Sequence, residues 1–224
     1  MEMNNNVAFS TTFDYYMVEK ETVMSQVYII KDILNKNHGY ITAQDVCKAG
    51  IPTAVLYRYA KANGLIKYAP GFYAESNWLI DVYLIFQYSY PKYIYSFDSA
   101  IFLHELGDIL PSYFEVTGPK NYRPISKPRK DIIAHTNTRD DVYSLGITKV
   151  ATTSGNFVKV YDLEKTICDL IKNKNKLELE VYAKAIHAYC SKKNKRIDKL
   201  FEYAKAMKIE SDVSTIFEVL LNED

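Results

Sequence analysis

Between Thr53 and Ala74 three basic residues, Arg58, Lys61 and Lys67, occur with no acidic one. At about 3.6 residues per turn, Ala54, Tyr57, Arg58 and Lys61 share one face of a helix, and Leu56, Tyr59, Ala60 and Asn63 share the opposite, mostly apolar face. A helix that packs on one side and enters the major groove of DNA on the other needs that division. Arg58 can donate two hydrogen bonds to a guanine edge, Thr53 at the helix start reaches a base or a phosphate, Tyr57 suits either, and Lys61 suits a phosphate. Lys67 and Tyr68 follow in a short β-type run that ends at Pro70-Gly71, near the tip of a predicted hairpin, where they touch flanking backbone. The competing reading is an interaction module in which Arg58 and Lys61 are merely solvated.

A second basic stretch holds Lys120, Arg123, Lys127, Arg129 and Lys130, interleaved with Tyr122 and three prolines counting Pro119, and has no acid. It suits a phosphate backbone or an RNA strand, and equally a solvated, extended loop. Lys192, Lys193, Lys195, Arg196 and Lys199 form a third excess with the same two readings.

The Asp162-Leu163-Glu164-Lys165 string has the residue types of metal-dependent nuclease sites. Glu164 and Lys165 are adjacent, however, at a predicted helix start where Asp162 makes an N-cap, so capping is the preferred reading. There is no glycine-rich phosphate loop, His-Glu-x-x-His or nucleophile elbow, and His38, His104, His135 and His187 are far apart. No catalytic residue, metal or cofactor is therefore expected, and the chain reads as non-enzymatic. The alternative is a nuclease or nucleotidyltransferase using Asp162 or Glu164 with a divalent ion.

The elements that must position these residues follow from periodicity and punctuation. Val23, Val27, Ile30 and Leu34 mark a helix over 21–37, Thr42 caps a short one over 43–49, and Pro52 opens a third running to about 63. A hairpin over 65–74 and a helix over 77–88 follow, and Pro91 marks a boundary. Beyond it the spacing predicts a strand at 93–96, a helix at 98–106, short strands at 113–117, 131–135, 142–145 and 157–160, and helices from 162 to 221. The fold class is α+β: a winged helix-turn-helix domain over 1–90, then a larger α/β domain over 91–224 that ends in helices.

The 28 basic and 27 acidic residues nearly cancel, so nucleic-acid affinity must come from local patches. Cys47, Cys168 and Cys190 are odd in number and lie in apolar periodic stretches, which predicts reduced, buried thiols and a cytoplasmic protein. The apolar run from Trp78 to Phe86 contains Asp81 and is too short to span a bilayer, and the N-terminus has no signal pattern, so no membrane role is expected.

Gly39-Tyr40-Ile41-Thr42, Gly50-Ile51-Pro52, Leu56-Tyr57-Arg58, Asn63-Gly64-Leu65-Ile66 and Pro70-Gly71-Phe72-Tyr73 together resemble the N-terminal winged helix of AbiEi-type antitoxins and related transcriptional regulators. Tyr95-Ser96-Phe97-Asp98-Ser99-Ala100 with Leu103-His104, Leu106 and Pro111, and later Val160-Tyr161-Asp162-Leu163-Glu164-Lys165-Thr166 with Asp169-Leu170, are similar to stretches of that family's C-terminal domain. The resemblance implies the antitoxin of a type IV abortive-infection system, which represses its own operon by binding inverted-repeat DNA. It also implies that the C-terminal domain counters a nucleotidyltransferase-like toxin without a stable complex. Repeated half-sites imply at least two copies side by side on the operator.

Overall fold

The computed structural model describes residues 24–125, 129–137 and 139–221. The chain divides into two units, Met1–Ile80 and Asp81–Asp224, each with its own core.

In the first unit, helix α1 is described over 24–36 and buries Ile30 and Leu34. The Gly39 amide (φ 103°) donates to the Leu34 carbonyl at 2.7 Å, a left-handed stop that favours glycine. Strand β1 (Tyr40–Thr42) follows, then α2 (Ala43–Lys48) and α3 (Thr53–Ala62). Thr42 caps α2 through a capping box: its hydroxyl accepts from the Asp45 amide, and the Asp45 carboxylate accepts from the Thr42 amide at 2.9 Å. Thr42→Ala is expected to destabilise this unit by about 1 kcal/mol, read from the midpoint of denaturant unfolding.

Strands β2 (Ile66–Ala69) and β3 (Phe72–Ala74) turn at Gly71 and complete an antiparallel sheet of order β1-β3-β2. Sequence reasoning missed β1 because three residues carry little periodicity; the strand exists through its pairing with Phe72, Tyr73 and Ala74. Ile30, Leu34, Ile41, Val46, Ile51 and Leu56 form the core.

The second unit begins at Asp81, ahead of the boundary that Pro91 suggests. Asp81 caps α4 (Val82–Ser89), accepting from the Leu84 amide at 3.0 Å, and also accepts from Thr152 Oγ1 at 2.5 Å and Asn156 Nδ2 at 2.9 Å. Tyr83 and Phe86 of α4 pack with Tyr95, Val116, Val158 and Val160. Pro91 thus sits in a turn within one unit, between α4 and β4 (Ile94–Tyr95).

The chain continues as α5 (Phe97–Leu103), β5 (Phe114–Pro119), β6 (Ile132–Asn137), α6 (Asp140–Ser144), β7 (Ile147–Ala151) and β8 (Phe157–Tyr161). The sheet runs β6-β5-β4-β8-β7; β5 lies parallel to β6 and β4 to β8, and the other neighbours are antiparallel. The predicted strand at 142–145 is instead the helix α6 and its C-cap, consistent with the helical spacing of Val142 and Leu145. The strand falls at β7, an edge whose Ile147, Lys149 and Ala151 are exposed, which weakens its apolar signal.

Helix α7 (Leu163–Lys172) is buried from Leu163 to Ile171 beneath α8 (Leu179–Ser191), α9 (Ile197–Met207) and α10 (Glu210–Leu221). The architecture is mixed helix and sheet, as expected. Of the cysteines, only Cys168 is buried, and burial pushes its thiol up to about 12; Cys190 is half-buried and Cys47 exposed. The apolar periodicity around Cys47 belongs to Val46, one position away on the six-residue α2.

Candidate nucleic-acid interface

Helix α3 turns Leu56 and Ala60 inward and leaves Ala54, Tyr57, Arg58 and Lys61 exposed, the division expected of a groove helix. Asn63 departs from it: at the C-cap it is exposed, and its side-chain amide donates to the Tyr59 carbonyl at 2.9 Å. Thr53, the first helical residue, is half-buried. Tyr57 leans on Tyr73 of β3, with ring centroids 6.1 Å apart. Among the described residues, Arg58, Lys61 and Lys67 form no ion pair.

The hairpin differs from the sequence reading. Lys67 is exposed on the edge strand β2, but Tyr68 is half-buried at an irregularity between Lys67 and Ala69, its ring edge-on to Trp78 at 5.3 Å. The turn does not project either: Gly71 is buried, and its carbonyl accepts from the Ala43 amide at 2.7 Å. Trp78 gathers Tyr40, Tyr68 and Phe72 into an aromatic cluster that braces this short hairpin. Lys67 is therefore the hairpin's exposed cation, and Tyr68 a packing residue.

In the second basic stretch, Lys120, Arg123 and Lys130 are exposed, and Lys127 lies outside the described residues. Arg129 is gripped by Asp131, with Nε to Oδ1 at 3.0 Å and Nη2 to Oδ2 at 2.5 Å; the bond holds the Asp131 carboxyl below its usual range. In the third cluster Lys199 pairs with Asp162 at 2.8 Å and Arg196 with Asp198 at 2.6 Å, so neither is a free cation.

The Asp162–Lys165 string performs capping and more. Asp162 Oδ1 accepts from the Lys165 amide at 2.9 Å, and Oδ2 takes the Tyr203 hydroxyl at 3.2 Å. Glu164, 4% exposed, accepts from Tyr189 Oη at 3.3 Å and from the Arg196 amide at the start of α9. Lys165 Nζ, buried, meets both Asp169 oxygens at 2.6 and 2.7 Å and lies 4.2 Å from the Tyr161 ring centroid. Burial pushes the Asp169 carboxyl up, and Lys165 opposes that rise.

Sequence reasoning missed one polar group. His135 Nε2 lies 2.6 Å from Glu115 Oε1, across the parallel β5–β6 pair, and Tyr113 donates to Asp98. Asp98, Tyr113 and Glu115 line a cavity of about 500 Å³ with Ile101, Val181 and Lys184. No sequence spacing signals residues brought together by strand pairing. Among the described residues no group of three His, Cys, Asp or Glu side chains is placed to hold a metal ion, and no helix is long and apolar enough to cross a membrane.

The geometry defines a two-unit protein of mixed helix and sheet whose first unit exposes a basic helix face that forms no ion pair among the described residues. No family model and no curated protein matches the chain. Among solved structures it is similar to the RV2827C protein from Mycobacterium tuberculosis, at 11% identity and a TM-score of 0.48, over 81% of this chain and 71% of that one. So distant a likeness says nothing of function.

Proposed function

We propose that the first unit is a winged helix that binds operator DNA, and that the chain is an AbiEi-type antitoxin repressing its own operon. The observation that carries the proposal is the exposed α3 face, on which Arg58 and Lys61 form no ion pair among the described residues. Two supports join it. Helices α2 and α3 are joined by a four-residue turn, 49–52, that contains Gly50, as in helix-turn-helix pairs. The β1-β3-β2 sheet then lies behind them with a short hairpin as wing.

Arg58 reads a base edge, Thr53 and Tyr57 contact base or backbone, and Lys61 and Lys67 hold phosphates. The second unit carries the antitoxin role toward a nucleotidyltransferase-like toxin. The engagement of Asp162 and Glu164 in helix capping and inter-helix bonds supports a non-enzymatic reading of that unit.

The test is a gel-shift titration on DNA from immediately upstream of the gene, with scrambled DNA alongside and salt varied. Retardation of the upstream fragment alone is expected, with log K falling against log salt by about 0.9 per phosphate contacted. Equal retardation of both fragments, or of neither, contradicts the repressor reading.

A further inference from the structure

The second unit gathers cations from four separate segments at one end of its sheet. Lys149 of β7 and Lys159 of β8 are register partners, like charges facing each other across an antiparallel pair, an arrangement that destabilises a sheet. Lys159 Nζ reaches the Pro91 carbonyl at 3.0 Å. The next residue, Lys92, places its Nζ 5.7 Å from the Tyr122 ring centroid, and Tyr122 sits between Lys120 and Arg123 of the β5–β6 loop. The loop's basic stretch, legible in the sequence, is thus continued by Lys92, Lys149 and Lys159, which the sequence scatters over 68 positions.

Some of the nearby carboxylates are already engaged, while Asp140 of α6 is exposed. Asp131 is bound to Arg129, and of the two acids on α6, whose Tyr143 hydroxyl donates to the Lys92 carbonyl, Asp141 is bound to Arg139. Lys92, Lys120, Arg123 and Lys149 are exposed, and the rings of Tyr90 and Tyr122 are half-buried among them.

We propose that this end of the sheet is a docking surface for single-stranded nucleic acid, its phosphates held by Lys92, Lys120, Arg123, Lys149 and Lys159. Duplex readers push a helix or ribbon into a groove, whereas here paired strands and flanking loops present cations beside aromatic rings, the combination that tracks an unpaired strand. This surface is independent of α3, so it stands or falls apart from the operator reading.

The test is fluorescence anisotropy of the full chain with labelled oligothymidylate, oligouridylate and a scrambled duplex, each of about 20 nucleotides per strand. Both single strands are expected to bind more tightly than the duplex. Lys92→Gln with Lys149→Gln is expected to weaken single-strand binding about tenfold or more and to make the salt slope shallower by about 1.4, or about 0.7 per lost phosphate contact. Lys92→Arg with Lys149→Arg keeps the charge and the binding, and Arg58→Ala leaves single-strand binding unchanged. The proposal is overturned by tighter binding of the duplex, by wild-type affinity in a folded double glutamine variant, or by loss of single-strand binding in Arg58→Ala.

Discussion

Arg58→Ala is expected to lower operator affinity about five- to 150-fold for each half-site, the 1–3 kcal/mol or so of one lost base contact, while the protein stays folded. The two halves of that expectation have separate causes. Arg58 is exposed and forms no ion pair among the described residues, so its removal leaves none of them unsatisfied, and surface changes of this kind stay within about 0.5 kcal/mol. On DNA the same guanidinium is the α3 side chain able to make a bidentate base contact, and an inverted repeat engaging two copies loses it twice. Titration of the variant beside the wild type, with thermal unfolding of both, checks the result. Unchanged operator affinity removes Arg58 from the interface.

The largest effect on stability is expected in the second unit, at Lys165. Lys165→Met leaves the Asp169 carboxylate buried without its partner, a change that costs about 3–5 kcal/mol when one member of a buried pair is removed. Burial already pushes Asp169 upward against the attraction of Lys165, so losing the lysine raises it further. The sign of the pH dependence follows. A carboxyl whose folded pKa exceeds its unfolded one binds a proton in the folded state that the unfolded state has released, so stability falls as pH rises between the two values. The Lys165→Met penalty is therefore greatest near neutrality and shrinks as pH drops toward the ordinary carboxylate range. Replacing Asp169 by leucine in the same chain is expected to recover much of the loss. Denaturant unfolding at several pH values measures both; a pH-independent penalty contradicts the assignment.

The parts of the molecule legible in the sequence are those fixed by local chemistry. Thr42 and Asp162 announce their caps by residue type, and the inward Leu56 and Ala60 of α3 follow from helical spacing. Long-range pairing supplies what remained hidden. Strand β1 exists because β3 lies beside it, Asp81 belongs to the second unit because Thr152 and Asn156 bind it, and Tyr68 turns to Trp78. The candidate site divides the same way. Arg58 and Lys61 could be read from the face they share, whereas the pairing of Arg129 with Asp131 and the joining of Lys149 and Lys159 to the Tyr122 loop come only from the fold.

Footprinting of the wild-type protein on its upstream DNA shows whether the winged helix reads an operator. Two protected half-sites in inverted orientation are expected, their centres about 10–10.5 base pairs apart or a multiple of that, with protection fading as salt rises. Uniform protection along the fragment, or none at concentrations that saturate the gel shift, would contradict the operator reading.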